Sequence, residues 1–299
     1  MSSSPVYTRR NFLKQSALVG GGLVAGSWLA ACSKTNTGSS TQDTLAKIKK
    51  QGFVTVGFAN ERPYGFRQGG QLVGEAPAIS GAVFSQLGGI KLQGKLFEFD
   101  ALIPALTAGR VDVVTAGMFI TPERCGQAAF GNPEYVVPSA FLVKKGNPKG
   151  LSTYQDIIKK DATLAVLSGA VEVDQATGAG VDQSQLLQVP DQQAGLDAVK
   201  SGRADALNLT SISLRSLAEG QPSVEVAQPF TPVIDGKKVY GAGAAVFRKE
   251  DQDLVDAYNK ELDKIVADKQ KWLDLVGKYG FTENEMPPPN LTTEQLCQG

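Results

Sequence analysis

The chain has 299 residues, which is enough for one large domain or two domains of medium size. Thirty Lys and Arg residues balance thirty Asp and Glu residues, so the chain lacks the basic field that nucleic-acid binding requires. It contains no histidine, which excludes Ser-His-Asp and Cys-His catalysis, histidine-ligated zinc and a histidine pH switch.

Residues 1–32 have the pattern of an export signal. TRRNFLK (residues 8–14) is typical of a twin-arginine signal, and the apolar run over residues 16–31 is short and rich in small residues. LAAC, which ends at Cys32, resembles a bacterial lipobox. Cleavage before Cys32 and acylation of its sulfur would anchor the exported chain to the outer side of the cytoplasmic membrane. Residues 33–43 would then form a flexible polar linker.

The next part of the chain alternates short apolar runs with helical patterns. Such alternation predicts an α/β fold with a largely parallel sheet. The predicted elements are a strand at 53–59, a helix at 76–88, a strand at 95–100 (KLFEFD), a helix at 101–109 and a buried strand at 111–117.

The same order of elements then recurs. The second series comprises a strand at 163–169, a helix from about residue 171, a strand at 186–190, a helix at 191–202 and a strand at 204–209. LTAGRVDVV (106–114) and VKSGRADAL (199–207) share a helix end, a glycine, an arginine and an aspartate that enters a strand. This repetition favours two similar lobes. A return strand at 239–249 and two amphipathic helices at 251–267 and 269–279 complete the chain.

Ligands of open α/β sheets bind beyond the carboxyl ends of the strands. Four segments reach that edge: the loop with Glu61 and Tyr64, the strand end at Phe99, the loop 117–127 and the turn 168–174. A carboxylate and an aromatic ring on one short loop suit a cationic ligand. The alternative is a solvated glutamate beside a tyrosine that packs on its own loop.

Cys125 and Cys297 remain once the leader is set aside. The exported compartment permits a disulfide between them, but two separate thiols are equally compatible with the sequence.

The chain resembles the extracytoplasmic solute-binding proteins of ABC importers, in their polar amino-acid class. The motifs that carry the resemblance are the lipobox, VTVGFANERPYGF (54–66), GQLVG (70–74), LIPALTAGRVDVVTAGMFITPER (102–124), LAVLSGAVE (164–172) and AVKSGRADAL (198–207). The resemblance implies a two-lobe, type II periplasmic binding fold with two mixed, mostly parallel sheets joined by a two-strand hinge. It places lobe 1 at residues 44–141 and 244–299, and lobe 2 at 142–243. It also implies a monomeric binding protein, not an enzyme, that serves a membrane permease and needs no cofactor or metal.

The family's ligand motif T-x-x-R corresponds here to Thr121 and Arg124. The guanidinium of Arg124 would hold a ligand carboxylate, aided by backbone N–H groups near Thr121 and Val171. In relatives that bind ordinary amino acids, an Asp stands at the end of the strand that corresponds here to residues 204–209. This chain has Thr210 at that position, with Asn208 two residues earlier. The carboxylate half of the site is therefore retained, whereas the ammonium half is changed.

Three aromatic residues and two glutamates offer a substitute for the missing aspartate. Tyr64, Phe99 and Phe119 could enclose a delocalised cation, while Glu61 and Glu172 accept hydrogen bonds from its N–H groups. This set resembles the ectoine and hydroxyectoine binding proteins, which hold a cyclic amidinium carboxylate. The predicted ligand-binding residues are Glu61, Tyr64, Phe99, Phe119, Thr121, Arg124, Val171, Glu172, Asn208 and Thr210.

Three other functions remain open. One is binding of another zwitterion, such as a betaine or a modified amino acid; the two glutamates oppose a fully methylated nitrogen, which has no N–H to donate. The second is a dehydratase of the same fold that acts on cyclic acids, which the lack of histidine disfavours. The third is a ligand sensor for a membrane kinase, for which the sequence shows no signalling module.

Overall fold

The computed structural model describes residues 43–234 and 236–298. The predicted leader, the predicted lipid anchor at Cys32 and residues 33–42 of the predicted linker lie outside the described residues. Within the described part of the chain, no helix is both long enough and apolar enough to cross a membrane.

The first part of the chain supplies most strands of the first large sheet, the helices around it, and a separate two-stranded sheet formed by residues 66–68 and 71–73. The elements are α1 (Thr44–Gln51), β1 (Phe53–Phe58), β2 (Phe66–Gln68), β3 (Gln71–Val73), α2 (Glu75–Gln86), β4 (Lys91–Leu96), α3 (Leu102–Thr107), β5 (Val113–Phe119), α4 (Pro122–Gln127), β6 (Ala129–Phe130) and β7 (Tyr135–Val137). Every residue of β5 is buried. Val114 and Val113 pack into different hydrophobic clusters on its two faces, as expected for a central strand.

The middle of the chain forms the second sheet. Its elements are β8 (Ser139–Lys144), α5 (Tyr154–Lys159), β9 (Leu164–Leu167), α6 (Val171–Gly178), β10 (Leu186–Val189), α7 (Gln192–Ser201), β11 (Ala206–Thr210), α8 (Ser211–Ala218) and β12 (Val224–Val226). The remaining elements are β13 (Val233–Ile234), β14 (Lys237–Lys238), β15 (Gly241–Phe247), α9 (Gln252–Val266), α10 (Lys269–Val276) and α11 (Thr293–Gln298).

Both sheets are mixed, and the predicted two-lobe, type II architecture is confirmed. The first sheet has the strand order β4-β1-β5-β15-β6, with β7 also paired to β15. The second has the order β10-β9-β11-β8-β12. In each sheet three strands run parallel, and the remaining strands join them in antiparallel pairs.

The repeated sequence forms the same local structure in both lobes. The N–H of Asp112 donates to the carbonyl of Thr55 at 2.8 Å, and the Asp112 carboxylate accepts the Thr55 N–H at 3.0 Å. Asp205 makes the equivalent pair with Thr163, at 2.8 and 2.9 Å. Each aspartate thus joins the start of its strand to the neighbouring parallel strand.

One strand differs from its predicted position. The expected strand at residues 95–100 lies instead at Lys91–Leu96, and Phe99 begins a short 3-10 turn. The register with β1, from Phe53 opposite Lys91 to Phe58 opposite Leu96, fixes this placement. Because β4 is an exposed edge strand with a lysine at its start and a glycine in its middle, it lacks the apolar run that marks a buried strand.

The chain passes between the sheets twice. It enters the second sheet at Pro138, between β7 and β8, and returns through residues 227–240. The two crossings contact each other, because the Phe230 N–H donates to the carbonyl of Ser139 at 2.8 Å. The boundaries expected at 141/142 and 243/244 fall inside β8 and β15, each of which stays within a single sheet. We therefore propose lobe boundaries at the two crossings.

A disulfide closes the C-terminal end of the chain. Cys125 in α4 is bonded to Cys297 in α11, with a Cα–Cα distance of 5.7 Å. The structure thus decides between the two alternatives that the sequence left open.

Candidate functional site

The loop that follows β1 brings Glu61 and Tyr64 into the cleft between the lobes. The Gly65 N–H donates to the carbonyl of Glu61 at 2.9 Å, which closes a tight turn around Pro63. Both predicted side chains are buried, and Tyr64 is only 1% exposed. Gly117 has φ of 63°, and a Cβ at this position would run into the Tyr64 ring. Residue 117 must therefore be glycine for the ring to lie here.

The second contribution from lobe 1 is the short helix α4. Thr121 caps its start, and the Thr121 hydroxyl oxygen accepts the Arg124 N–H at 3.3 Å. The Arg124 guanidinium donates to the carbonyls of Phe119 and Gly169, both at 2.9 Å. Because Gly169 belongs to lobe 2, Arg124 bridges the cleft. Its guanidinium carbon also lies 5.5 Å from the centre of the Phe99 ring.

Lobe 2 contributes the start of α6. Ala170 precedes this helix and provides no side-chain cap, as expected from the missing hydroxyl residues. Val171 is half-buried, and Glu172 is 4% exposed. The start of α6 therefore places a carboxylate in the cleft as well as N–H groups.

The start of α8 makes two further contacts across the cleft. The Tyr64 hydroxyl donates to Thr210 Oγ1 at 3.0 Å, and Thr210 Oγ1 also accepts the Ser213 N–H at 3.2 Å. The Ser213 hydroxyl donates to Glu61 Oε1 at 2.8 Å. Sequence reasoning identified Thr210 but missed Ser213. The only signal for Ser213 was its position one helical turn after a residue already expected in the site.

These groups enclose a small cavity between the lobes. Its volume is about 20 Å³ in this closed arrangement, so the lobes must move apart to admit a ligand larger than a water molecule. Its lining includes most of the predicted residues together with small and aliphatic ones: Glu61, Tyr64, Phe99, Gly117, Phe119, Arg124, Leu167, Ala170, Val171, Glu172, Leu209 and Thr210. The structure thus brings together eight of the ten predicted side chains.

The remaining two predicted residues lie elsewhere. Thr121 faces a larger outer cavity beside the first. Asn208 is fully buried inside lobe 2, where its Oδ1 accepts the Tyr154 hydroxyl at 2.6 Å and its Nδ2 donates to the carbonyl of Ala140 at 2.9 Å. Because both polar atoms of its amide bond within the lobe, Asn208 supports the sheet and does not line the cavity.

An aromatic column backs the cavity on the lobe 1 side. The Tyr64 ring stacks on Tyr135 with centroids 5.0 Å apart, and Tyr135 lies 6.2 Å from Phe119. Phe281 contacts both tyrosines and continues to Trp272 at 6.1 Å. The Tyr135 hydroxyl donates to the carbonyl of Gly117 at 2.6 Å. Sequence reasoning did not identify this supporting column, since its members are far apart in the chain.

Burial dominates the electrostatics of the cavity. It raises the pKa of Glu61 to about 8, opposed by the Ser213 hydrogen bond and increased further by the nearby Glu172. Burial likewise raises the pKa of Glu172 to about 7, against the opposing effects of its backbone N–H and of Arg124. Desolvation also lowers the pKa of Arg124. The cavity therefore contains two carboxyl groups that take up protons readily while no cation contacts them.

The outer cavity continues past Arg124 towards solvent. Phe99, Arg124, Ala170 and Val171 line both spaces. Three exposed carboxylates, Asp100, Glu123 and Asp174, surround the outer one. The route to the inner cavity is therefore acidic, which favours the approach of cations.

The described residues contain no group of three or more His, Cys, Asp or Glu side chains placed to hold a metal ion. The side chains around the inner cavity are of the kind that binds small organic molecules, because charged and aromatic groups converge on it from both lobes.

Comparisons with known proteins find relatives that match most of this chain. A probable amino-acid ABC transporter periplasmic-binding protein from Sinorhizobium fredii is 34% identical over 261 residues, covering 85% of this chain and 86% of the relative. The arginine-binding extracellular protein ArtP of Bacillus subtilis is 28% identical, covering 82% of this chain and 92% of ArtP. The crystal structure of EhuB in complex with hydroxyectoine matches with a TM-score of 0.77 and 35% identity, over 86% of this chain and 99% of EhuB.

The family model of the bacterial extracellular solute-binding proteins, family 3, matches residues 54–281. That range includes both large sheets, apart from Phe53 at the start of β1, and every residue that lines the inner cavity. This chain belongs to the bacterial extracellular solute-binding proteins of family 3.

Proposed function

We propose that the chain captures ectoine or hydroxyectoine between its lobes and delivers it to an ABC permease. The observation that carries the proposal is the placement of two buried carboxyl groups, Glu61 and Glu172, in one cavity with Arg124 and three aromatic rings. A cyclic amidinium carboxylate presents two N–H groups, a flat delocalised cation and a carboxylate. Each of these features has a complementary group in the cavity.

The cationic half of such a ligand fits the carboxyl pair. Glu61 comes from lobe 1 and Glu172 from lobe 2, so a ring placed between them can donate one N–H to each lobe. The faces of Tyr64, Phe99 and Phe119 are suited to a charge that is spread over carbon and nitrogen. A betaine lacks the N–H groups and would leave both carboxyl groups without donors.

The contacts of Thr210 argue against a primary ammonium. An aspartate at this strand end would offer a counter-ion, but here Thr210 Oγ1 accepts the Tyr64 hydroxyl at 3.0 Å and the Ser213 N–H at 3.2 Å. Protein groups therefore occupy the place where an α-amino group would find its acceptor. The similarity to EhuB, solved with hydroxyectoine, supports the same ligand class.

An amino acid with a cationic side chain is the second candidate. The outer cavity is lined by Asp100, Glu123 and Asp174, none of which has a basic side chain within ion-pair distance among the described residues. A long cationic side chain that passes Arg124 would meet these carboxylates. The similarity to ArtP is consistent with this alternative.

Calorimetry on residues 33–299, a form without the leader and the acylated Cys32, tests both candidates directly. We expect ectoine or hydroxyectoine to bind with micromolar or better affinity, and arginine, proline and glycine betaine to bind at least about a hundredfold more weakly, a difference of roughly 2.7 kcal/mol. Preferred binding of arginine would replace the proposal by the second candidate. A turnover assay on cyclohexadienyl acids provides a parallel check on the enzymatic alternative, for which we expect no product.

The proposed site of action is outside the cytoplasmic membrane. The export signal and the lipobox ending at Cys32 support an anchored protein that shuttles ligand to the permease. Replacement of Cys32 by serine should release the protein from membranes, detectable as a shift from the membrane to the soluble fraction.

A further inference from the structure

The helix that carries Arg124 is too short to hold itself in place. α4 has six residues, Pro122–Gln127, one of which is glycine. Its backbone hydrogen bonds include Cys125 N–H to Thr121 O and Ala128 N–H to Arg124 O, both at 2.9 Å. An isolated helix of this length is unstable because nucleation costs more than so few hydrogen bonds return. Its position must therefore come from its surroundings.

The C-terminal helix α11 lies against α4 and is bonded to it. Cys125, the residue immediately after Arg124, forms the disulfide with Cys297, 172 positions later in the chain. The Thr293 hydroxyl, at the start of α11, donates to the carbonyl of Gly131 at 2.7 Å. Leu296 packs with both cysteines against the hydrophobic cluster that includes Phe130. Covalent, polar and apolar contacts thus fix α11 on the segment that follows Arg124.

The guanidinium has little freedom to correct a shift of its helix. Two of its nitrogen atoms already bond to the carbonyls of Phe119 and Gly169, on opposite sides of the cleft. A small rotation of α4 would therefore either break one of these bonds or move the donors that remain for a ligand. Positioning errors of about 1 Å can reduce the efficiency of a site severely.

We propose that the Cys125–Cys297 disulfide and α11 are positioning elements of the ligand site, which hold α4 so that Arg124 faces the ligand carboxylate. The inference rests on the proposed function only in requiring a ligand with a carboxylate. Neither cysteine lines the inner cavity, so both act through Arg124. The disulfide also makes ligand affinity dependent on its redox state, since reduction removes the covalent link between α11 and α4.

The test compares Cys125→Ser, Cys297→Ser and the double variant with the oxidised parent protein, using ectoine in calorimetry at 25 °C. We expect each variant to bind about tenfold more weakly, and the double variant to match the singles, because all three lose the same bond. Dithiothreitol should weaken binding by the parent equally and leave the variants unchanged. Thr293→Val is the matched control: it removes the hydrogen bond to Gly131 but keeps the disulfide, and should bind within twofold of the parent.

Amide hydrogen exchange on the ligand-free proteins separates positioning from general stability. Loss of the disulfide should accelerate exchange of the Ala128 amide, which is bonded within α4, while exchange of Val114 in the central strand β5 stays within twofold of the parent. Equal acceleration at both amides, or unchanged affinity in the variants, would overturn the inference. If the oxidised parent does not bind ectoine, the proposed function fails, and the exchange experiment still decides whether the disulfide fixes α4.

Discussion

At the scale of single residues, Arg124 is held by two backbone carbonyls and by no carboxylate within ion-pair distance in the described part of the chain. The two carbonyls therefore fix the position of the guanidinium, but no direct ion pair with a described residue compensates its positive charge. A ligand carboxylate would supply the missing partner. This pre-arrangement lowers the cost of binding, because the side chain need not become ordered when the ligand arrives.

The first prediction concerns this guanidinium. Arg124→Ala should weaken ligand binding by about 2–5 kcal/mol, because a desolvated carboxylate loses its charged partner. Arg124→Lys should restore little, since an ammonium cannot span the Phe119 and Gly169 carbonyls and still donate to the ligand. Calorimetry measures both effects. Affinity within twofold of the parent in both variants would remove Arg124 from the ligand site.

The second prediction concerns pH. The pKa of Glu61 is raised to about 8 and that of Glu172 to about 7, so both groups hold protons in the free protein near pH 6. A cationic ligand donates N–H bonds to the ionised form, and binding therefore releases these protons. Affinity should rise between pH 6 and 8 by up to roughly tenfold per pH unit for each proton released, and then level off.

A hydroxyl group, a backbone N–H and the Arg124 guanidinium act on the pKa values of the two carboxyl groups. The pKa of Glu61 is lowered by the Ser213 hydroxyl and raised by Glu172, and that of Glu172 is lowered by its own backbone N–H and by Arg124. The pKa of Tyr154 is raised mainly by burial and to a smaller extent by Glu172. Calorimetry at pH 6, 7, 8 and 9 in buffers of different ionisation enthalpy counts the protons. Glu172→Gln should show a shallower rise with pH than the parent. A flat affinity profile in the parent would contradict the prediction.

The third prediction concerns a buried acid behind the cavity. Glu75 is fully buried, both of its carboxyl oxygens lack a protein partner, and burial together with the nearby Glu134 raises its pKa well above the usual value of 4.5. A raised folded-state pKa gives stability that is fully present below about pH 4.5 and declines as the pH rises towards the folded value. Glu75→Gln should therefore become more stable than the parent as the pH rises from 5 to 8, by on the order of 1 kcal/mol per pH unit. Urea unfolding at the two pH values measures the difference, and a constant difference would count against the explanation.

At the scale of elements, Asp112 and Asp205, the two aspartates of the repeat, make equivalent hydrogen bonds in different lobes. Each carboxylate accepts the N–H of a threonine that lies in the neighbouring parallel strand (Thr55) or immediately before it (Thr163), at 3.0 Å for Asp112 and 2.9 Å for Asp205. Each also pairs with a lysine, at 2.9 Å to Lys47 and 2.8 Å to Lys149. The repeat in the sequence thus corresponds to a repeated way of joining two strands.

The fourth prediction follows from this equivalence. Asp112→Ala and Asp205→Ala should each destabilise the chain by about 1–3 kcal/mol, because a strand N–H loses its acceptor. Asp112 is the more buried of the two, so its replacement should cost more. Thermal unfolding of the two variants provides the comparison. Equal stability of parent and Asp112→Ala would show that the repeat has no structural role.

The sequence predicted elements well where the pattern was local. Buried strands such as β5 and the capped helix α7, which ends at Gly202, carry their signals within a few residues. β4 was misplaced because its register is fixed by β1, about forty residues earlier, and not by its own composition. Within the site, Arg124 and Glu61 could be found from motifs, whereas Ser213 depends on how the lobes meet.

Asn208 is a residue that the sequence placed in the site but that does not line the inner cavity. It was predicted to bind the ligand because it lies two residues before Thr210 on the same strand. The structure directs its amide to Tyr154 and Ala140 inside lobe 2. A polar residue near a predicted site is uninformative until its hydrogen-bond partners are known, because buried amides are as often used to join elements.

At the scale of the whole molecule, the two lobes are held together by direct contacts of the cavity residues. The contacts are Tyr64 with Thr210, Glu61 with Ser213, and Arg124 with Gly169. A Cβ on Gly169 would clash with Asp100, so the lobes also approach closely beside the cavity. The structure therefore corresponds to a closed arrangement, in which side chains predicted to bind the ligand also make the contacts between the lobes.

The fifth prediction is that ligand shifts the protein towards this closed arrangement. The radius of gyration measured by X-ray scattering should decrease when ligand is added, because a ligand that contacts both lobes favours their approach. Ser213→Ala removes the hydrogen bond to Glu61 between the lobes, so this variant should need more ligand to reach the same compact form. An unchanged radius at saturating ligand would contradict a hinged mechanism.

The aromatic column behind the cavity gives the protein a built-in optical reporter. Of the two tryptophans in the sequence, Trp28 lies in the predicted leader, so the exported chain would retain Trp272 alone. Trp272 is fully buried and reaches the Tyr64 ring through Phe281, with successive centroids 6.1 and 6.0 Å apart. A ligand that packs on Tyr64 disturbs the far end of this column. Intrinsic fluorescence of a single, assigned residue can therefore follow ligand capture in real time, without a dye and without altering the site.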